Sequence, residues 1–522
     1  MKTSRSQEHP VVLNGEPLTV EAVEAVSRRH ATVVLDRAAA ARIDAARAVV
    51  ERQLQSRSPV YGLNTGFGSL ARVQIAAGQI REVQRNLIRS HAAGVGEPLP
   101  TEAVRAVMLI LAASLARAHS GVRRCVIEQI IGLLNRAVAP RVPSRGSVGA
   151  SGDLVPLAHL ALVLIGEGEA WIEGVDSVAP LGGGEALHRC GLEPLTLDAK
   201  EGLALINGTH MMAALGTLAL VDIDRIRTAA VSATALAIDA CRATDAFLDA
   251  RLHALRQQPG QCAVAEAVSA LLHGSQILSS HRTGDPRVQD PYCLRAAPQV
   301  LGAAFDAIVS ARAVVERELG AVTDNPLVFP HGAPHESIVS GGNFHGMPLA
   351  IAFDTLKIAL VHVAGIAERR VNWLLAASDS ENPVNVYLSP QPGLHSGLMI
   401  AQYTAAACCS ELQSLAHPAS VANIPTSAGI EDYNSMGATA ALQLRQAVQL
   451  CEQVVAIELL VMTEAMEYQR PLRSGAGVER IVETVRSAVS RLTEDRPPAP
   501  DIAAIVRLIR EGAFCRSKGG SF

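Results

Sequence analysis

Between Gly437 and Gln469 apolar side chains return every third or fourth residue, at Ala441, Leu444, Val448, Cys451, Val455, Leu459, Met462 and Met466. That spacing puts them on one face of a helix. At about 1.5 Å per residue the helix would be on the order of 50 Å long, beyond the diameter of a small domain. Such a face needs partners of similar length. The expectation is therefore an all-α chain, an elongated bundle of long helices with little β structure. The same periodicity predicts helices over Asp36–Arg57, Ile80–His91, Glu102–His119, Glu201–Ala250, Pro298–Leu319 and Met347–Leu375. Hydrophobic residues make up 49% and aromatics only 3%, so small aliphatic groups must fill the core, which suits close helix packing.

Gly- and Pro-rich segments punctuate these helices at Pro59–Ser69, Arg141–Gly152, Val178–Gly184, Thr283–Pro291, Asp324–Gly342 and Asn382–Gly393. Functional residues tend to sit on such loops. Gly166–Leu197, richer in Gly, Val and Ile, reads as a small hairpin excursion. With a net charge of −4 and no basic stripe, the chain lacks the footprint for nucleic acid or an anionic membrane. The nine cysteines are odd in number and have no zinc-type spacing, so no metal is expected and they read as thiols of a reducing cytosol. Met1–Pro10 has no apolar signal core, and the apolar run Leu154–Ile165 is too short for a bilayer and holds Pro156 and His159. A cytoplasmic location is expected.

No Gly-x-Gly-x-x-Gly or Gly-x-x-x-x-Gly-Lys-Ser/Thr signature occurs, and Gly149-Ala150-Ser151-Gly152 falls one residue short of a nucleophile elbow. The run Gly146–Leu157 is a string of small residues feeding an apolar helix. Alone it is a Gly-rich turn with Ser151 or Asp153 as helix cap. Other segments accompany it in order: Val60-Tyr61-Gly62-Leu63-Asn64-Thr65-Gly66-Phe67-Gly68, Asn207-Gly208-Thr209, Gln289-Asp290-Pro291-Tyr292-Cys293-Leu294-Arg295, Thr323-Asp324-Asn325-Pro326, Gly341-Gly342-Asn343-Phe344-His345-Gly346 and Glu431-Asp432-Tyr433-Asn434-Ser435-Met436-Gly437. Together they resemble, over nearly the whole chain, the aromatic amino-acid ammonia-lyase and aminomutase family. A non-enzymatic helical scaffold gives no reason for Tyr61, Ala-Ser-Gly and Arg295 to occur together.

Removing ammonia from an amino acid means breaking a weakly acidic Cβ–H bond with amine as a poor leaving group. An electrophile is required, and ordinary side chains do not supply one. The resemblance implies that Ala150, Ser151 and Gly152 cyclise, losing two waters, to 4-methylidene-imidazol-5-one, with no external cofactor. Ser151 is then the precursor of the electrophile. The helix expected over Asp153–Gly166 would begin just beyond the ring, so its N-terminal amides favour negative charge there. The resemblance further implies Tyr61 as the base for the β-proton, which demands that its phenolate be favoured. Arg295 would hold the substrate carboxylate with its planar fork. Asn207, Gln289 and Tyr292 would orient ring and substrate, and Phe344 would pack beside the ring. It implies, too, a homotetramer whose active sites draw loops from several subunits. Residues 1–200 then form an N-terminal region carrying the ring-forming loop, and 201–522 the central long helices and C-terminal helices of one lyase chain.

Two positions bear on the substrate. His91, in Arg89-Ser90-His91-Ala92-Ala93-Gly94, offers a polar side chain to a polar ring. Glu431 resembles a glutamate of the histidine-directed members, where phenylalanine- and tyrosine-directed ones carry Gln. A carboxylate can take an imidazole N–H or stabilise its protonated form, but is desolvated at a cost beside phenyl. Deamination of L-histidine to trans-urocanate is the expected reaction. A tyrosine or phenylalanine lyase, or a 2,3-aminomutase, is the alternative, because the Ser90-His91 pair also occurs in tyrosine aminomutases. Tyr433, His210 and Asn372–Pro390 depart from the histidine-directed pattern.

Overall fold

The computed structural model describes residues 9–55, 59–174, 179–330 and 337–515. The helix end expected at Arg57, the loop start at Val178, the first eight residues and part of the Asp324–Gly342 loop lie outside them. Nineteen α-helices and nine strands of two to four residues occur among the described residues. The all-α expectation holds because the sequence supplies apolar residues at helical, not alternating, spacing over its longest segments.

Every member of the stripe from Ala441 to Met466 is buried. So are Val454, Ile457 and Val461 on other faces, which makes Gly437–Ala465 a core helix apolar nearly all round. It holds Glu458 fully buried only because the Arg370 guanidinium pairs with both carboxylate oxygens, at 3.0 Å for Nη2 to Oε2. The helices Ala297–Glu318, Met347–Leu375 and Gly437–Gln469 are long and apolar enough to cross a membrane by length and composition. Over Met347–Leu375 and Gly437–Gln469, 67% and 78% of the most apolar window is buried within the protein, so that apolarity serves helix packing.

The helices Ile80–His91 and Met347–Leu375 run as predicted. Glu201–Ala250 does not run as one helix. It stops at Ile206, restarts at His210 and ends at Ala240. Asn207 is extended and Gly208 has φ 126°, a conformation open to glycine. The hairpin excursion is present: Glu169–Ile172 pairs antiparallel with Leu181–Gly182 and with Val138–Pro140.

The chain divides into two units, one comprising residues 1–218, 312–353 and 418–442 and the other 219–311, 354–417 and 443–522. In the first, Lys200 and Asp324, both buried, form an ion pair at 2.6 Å, and Ser120 donates to the second carboxylate oxygen at 3.1 Å. A Cβ on Gly62 would lie 2.8 Å from Leu203 and 3.2 Å from Pro326, with Lys200 in ordinary contact at 3.9 Å, so the tyrosine loop is seated beside this pair.

Candidate active site

In the first unit the interrupted helix meets the small-residue loop. Gly152 and Gly208 form a parallel bridge: Gly208 N–H donates to Ser151 O at 3.2 Å, and Asp153 N–H to Gly208 O at 2.7 Å. A Cβ on Gly152 would lie 2.1 Å from Gly208 O, and both Gly149 and Gly152 have positive φ. Only glycine fits this approach. Ala150 is buried, and Ser151 is half-buried at the turn. The helix Leu154–Leu164 starts directly after the loop.

Asp153 stands at the N-cap position of that helix, but its side chain makes no capping hydrogen bond. Its Oδ2 accepts from Met212 N–H at 2.9 Å and its Oδ1 from Ser147 Oγ at 3.3 Å. Complete burial outweighs these bonds and pushes its carboxyl up to about 7. Asn207 is buried, and its Oδ1 has no partner among the described residues. From the far end of the chain, Ser435 Oγ donates to Gly149 O at 3.3 Å and Met436 N–H to Val148 O at 3.0 Å. Ser147, Ser435 and Asp153 went unread as site residues, although each lies in or beside a quoted motif. What the sequence lacked was the partner of each hydroxyl or carboxylate.

Tyr61 is half-buried and packs edge-on against Phe67, ring centroids 6.3 Å apart. Its hydroxyl accepts from Gly68 N–H at 3.4 Å, which favours the phenolate. Burial, the larger effect, raises its pKa above the ordinary 10.0, and the Glu431 carboxylate adds to the rise. His91, at the end of the helix Ile80–His91, sets Nδ1 2.9 Å from Leu87 O. A carbonyl only accepts, so Nδ1 carries the proton and Nε2 is left as an acceptor. Burial holds His91 below its usual 6.5, against the Leu87 bond and Glu431, which favour the charged form. Glu431 thus acts electrostatically on both Tyr61 and His91. The turn before it closes on the tyrosine loop, since a Cβ on Gly68 would lie 2.9 Å from Ser427 Oγ. Phe344 is half-buried in the turn that sets His345 Nε2 2.9 Å from Tyr433 O.

Tyr61, His91, Ala150, Ser151, Gly152, Asn207, Phe344 and Glu431 all belong to the first unit. Gln289, Tyr292 and Arg295 belong to the second. There Arg295 stacks over the Tyr292 ring at 4.5 Å and donates from Nε to Asp290 O at 2.9 Å. Thr244 donates to Asp290 Oδ2 from its backbone N–H and its hydroxyl, at 3.0 and 2.6 Å. Gln289 and Tyr292 line a cavity of about 470 Å³ with Arg287, Trp373 and Asp379, the last two from the divergent 372–390 segment. Tyr292 is 72% exposed.

The pattern of the aromatic amino acid lyase family matches residues 18–487. The chain belongs to the aromatic amino acid lyase family. Within it, the histidine ammonia-lyase of Anaeromyxobacter dehalogenans is 50% identical over 508 residues, 97% of this chain and 99% of that one. Among solved structures, histidine ammonia-lyase from Trypanosoma cruzi superposes with a TM-score of 0.89 at 39% identity, covering 97% and 94% of the two chains. Tyrosine aminomutase from Streptomyces globisporus gives 0.89 at 34% identity, covering 97% and 98%. As a member of the aromatic amino acid lyase family the chain is an enzyme acting on an amino acid.

Proposed function

We propose that the chain deaminates L-histidine non-oxidatively to trans-urocanate and ammonia, with an electrophile made from its own Ala150, Ser151 and Gly152. The observation that carries this reading is that the turn bearing the Glu431 carboxylate closes on the loop bearing Tyr61, where a Cβ on Gly68 would lie 2.9 Å from Ser427 Oγ, in the unit that holds the Ala-Ser-Gly loop. Relatives about half identical over their full length bear the name histidine ammonia-lyase.

The residues fit a methylidene-imidazolone. The loop is built from glycines at positive φ, nothing larger than hydrogen fits at Gly152, and the buried Asn207 amide has an oxygen to spare. Such a ring supplies an exocyclic methylene that activates the substrate amine as a leaving group. Asn207 would hold it, and Phe344 would pack beside it. His91 Nε2 accepts a hydrogen bond from the substrate, and Glu431 takes the imidazole N–H and favours the protonated ring, whose electron withdrawal acidifies the β-hydrogen. Tyr61 removes that proton. A protonated imidazole at Glu431 also cancels the carboxylate's share of the rise in the Tyr61 pKa, so the selected substrate eases ionisation of its own base.

Gln289, Tyr292 and Arg295 would bind the carboxylate end and come from another subunit of a homotetramer. Exposed Tyr292 and Tyr433, and exposed Ile351, Ile358, Ile400 and Tyr403 on long helices, support burial by further copies. The second reading, a tyrosine or phenylalanine lyase or aminomutase, is favoured by the Ser90-His91 pair and the likeness to tyrosine aminomutase. Ser151→Ala tests the electrophile: it should leave the helices folded and remove nearly all urocanate formation, and retained turnover would sink the assignment.

A further inference from the structure

Glu431 lies at the edge of an exposed turn, where a flexible side chain would ordinarily sample several rotamers. It is nevertheless bracketed. Thr426 and Glu431 exchange backbone hydrogen bonds, at 2.9 Å for Thr426 N–H to Glu431 O and 3.3 Å for the reverse. The turn between them carries three successive positive φ values, at Ser427, Ala428 and Gly429. Inside this closure Thr426 Oγ1 lies 2.8 Å from Glu431 Oε2. A carboxylate only accepts, so the threonine spends its single proton there.

The hydroxyl's remaining lone pairs face a donor. Asn434, 1% exposed, points Nδ2 at Ile424 O at 2.5 Å and at Thr426 Oγ1 at 3.4 Å. Because a carbonyl cannot donate, the atom facing Ile424 must be the amide nitrogen, which settles the amide orientation. Asn434 N–H is itself held by Asn423 Oδ1 at 3.2 Å. The polarity therefore runs one way, from Asn434 through Thr426 to Glu431. Oε2 is committed, and Oε1 accepts no hydrogen bond among the described residues, which leaves it for a ring N–H.

We infer that Thr426 is a positioning residue for substrate selection: its hydroxyl, oriented by Asn434, fixes the Glu431 carboxylate so that Oε1 meets the substrate imidazole. This rests on the reading that Glu431 meets that ring. The hydroxyl touches no substrate and works through Glu431 alone. Removing it should cost kcat/KM for histidine about tenfold, the size of one charge-assisted hydrogen bond. The competitive inhibition constant of L-phenylalanine, whose ring has no N–H for Oε1, should stay within about twofold.

The test compares Thr426→Val, Thr426→Ser, Glu431→Gln and the double variant Thr426→Val/Glu431→Gln in the full-length enzyme, with circular dichroism as a folding control. Thr426→Ser keeps the hydroxyl and should restore most of the loss. The double variant should be no worse than Glu431→Gln, because a group acting only through Glu431 adds nothing once that carboxylate is gone. Additive losses, a parallel rise in the phenylalanine constant, or a Ser variant as impaired as Val would overturn the proposal. Should Thr426→Val misfold, full histidine activity with Thr426→Ser supports the hydroxyl, and its loss contradicts it. If Glu431→Gln leaves histidine turnover intact, the reading of Glu431 fails first and this inference with it. If Glu431→Gln is crippled and Thr426→Val is not, only the inference fails.

Discussion

His210 places an imidazole where water cannot follow it. Its ring is fully buried, neither nitrogen has a partner among the described residues, and burial lowers its pKa from 6.5 to about 4. Between those values the unfolded chain binds a proton that the folded chain does not. Stability is therefore complete above pH 6.5 and is lost as pH falls toward 4, by on the order of 3 kcal/mol. His210→Gln should flatten that acid limb in urea unfolding measured at several pH values; an unchanged slope would show that His210 is not its source. Tyr61 makes a different claim at the same scale. Tyr61→Phe removes the base and leaves Ala150, Ser151 and Gly152 untouched, so cofactor absorbance should persist while turnover falls by at least about a hundredfold. Absorbance lost together with activity would instead place Tyr61 in ring formation. The types of these residues were legible in the sequence. Their environments were not, because contacts such as that of Ser435 on Gly149 join segments hundreds of positions apart.

Among the elements, the break at Asn207-Gly208-Thr209 matters most. Helical periodicity runs through it unbroken, which is why one helix was expected from Glu201 to Ala250, yet Gly208 turns its backbone toward Gly152. Periodicity reports which side chains prefer burial. It carries no signal for a backbone bridge between two loops. The long helices and the hairpin were legible because each depends on near-neighbour spacing. The tyrosine loop is steadied by another link that spacing cannot show, the buried Lys200–Asp324 pair beside Pro326. Lys200→Met would leave a buried carboxylate with Ser120 as its side-chain donor among the described residues, and should cost roughly 3–5 kcal/mol in urea unfolding. Replacing both partners with apolar residues of similar size should recover much of that loss. A single variant as stable as wild type would contradict a structural role for the pair.

At the scale of the whole molecule, the proposal is that each site draws on more than one copy of the chain, with Tyr61 and Glu431 from one and Arg295 from another. Light scattering should report a tetramer. Mixing two inactive variants, Tyr61→Phe and Arg295→Ala, through unfolding and refolding should regenerate intact sites in about a quarter of positions if subunits combine at random. No recovery from a refolded mixture would place all the machinery on one subunit. The chemistry was legible in the order of the motifs, whereas assembly leaves only an indirect trace in the sequence, as apolar residues whose exposure appears once the chain is folded. The central claim is that Glu431 directs this chemistry to imidazole. Its most direct test is the initial rate of ultraviolet product formation from L-histidine, L-tyrosine and L-phenylalanine, for wild type and Glu431→Gln. Wild type should form urocanate and little coumarate or cinnamate, with histidine turnover falling at least about tenfold in the variant; wild type that ignores histidine and releases coumarate or cinnamate would contradict the account.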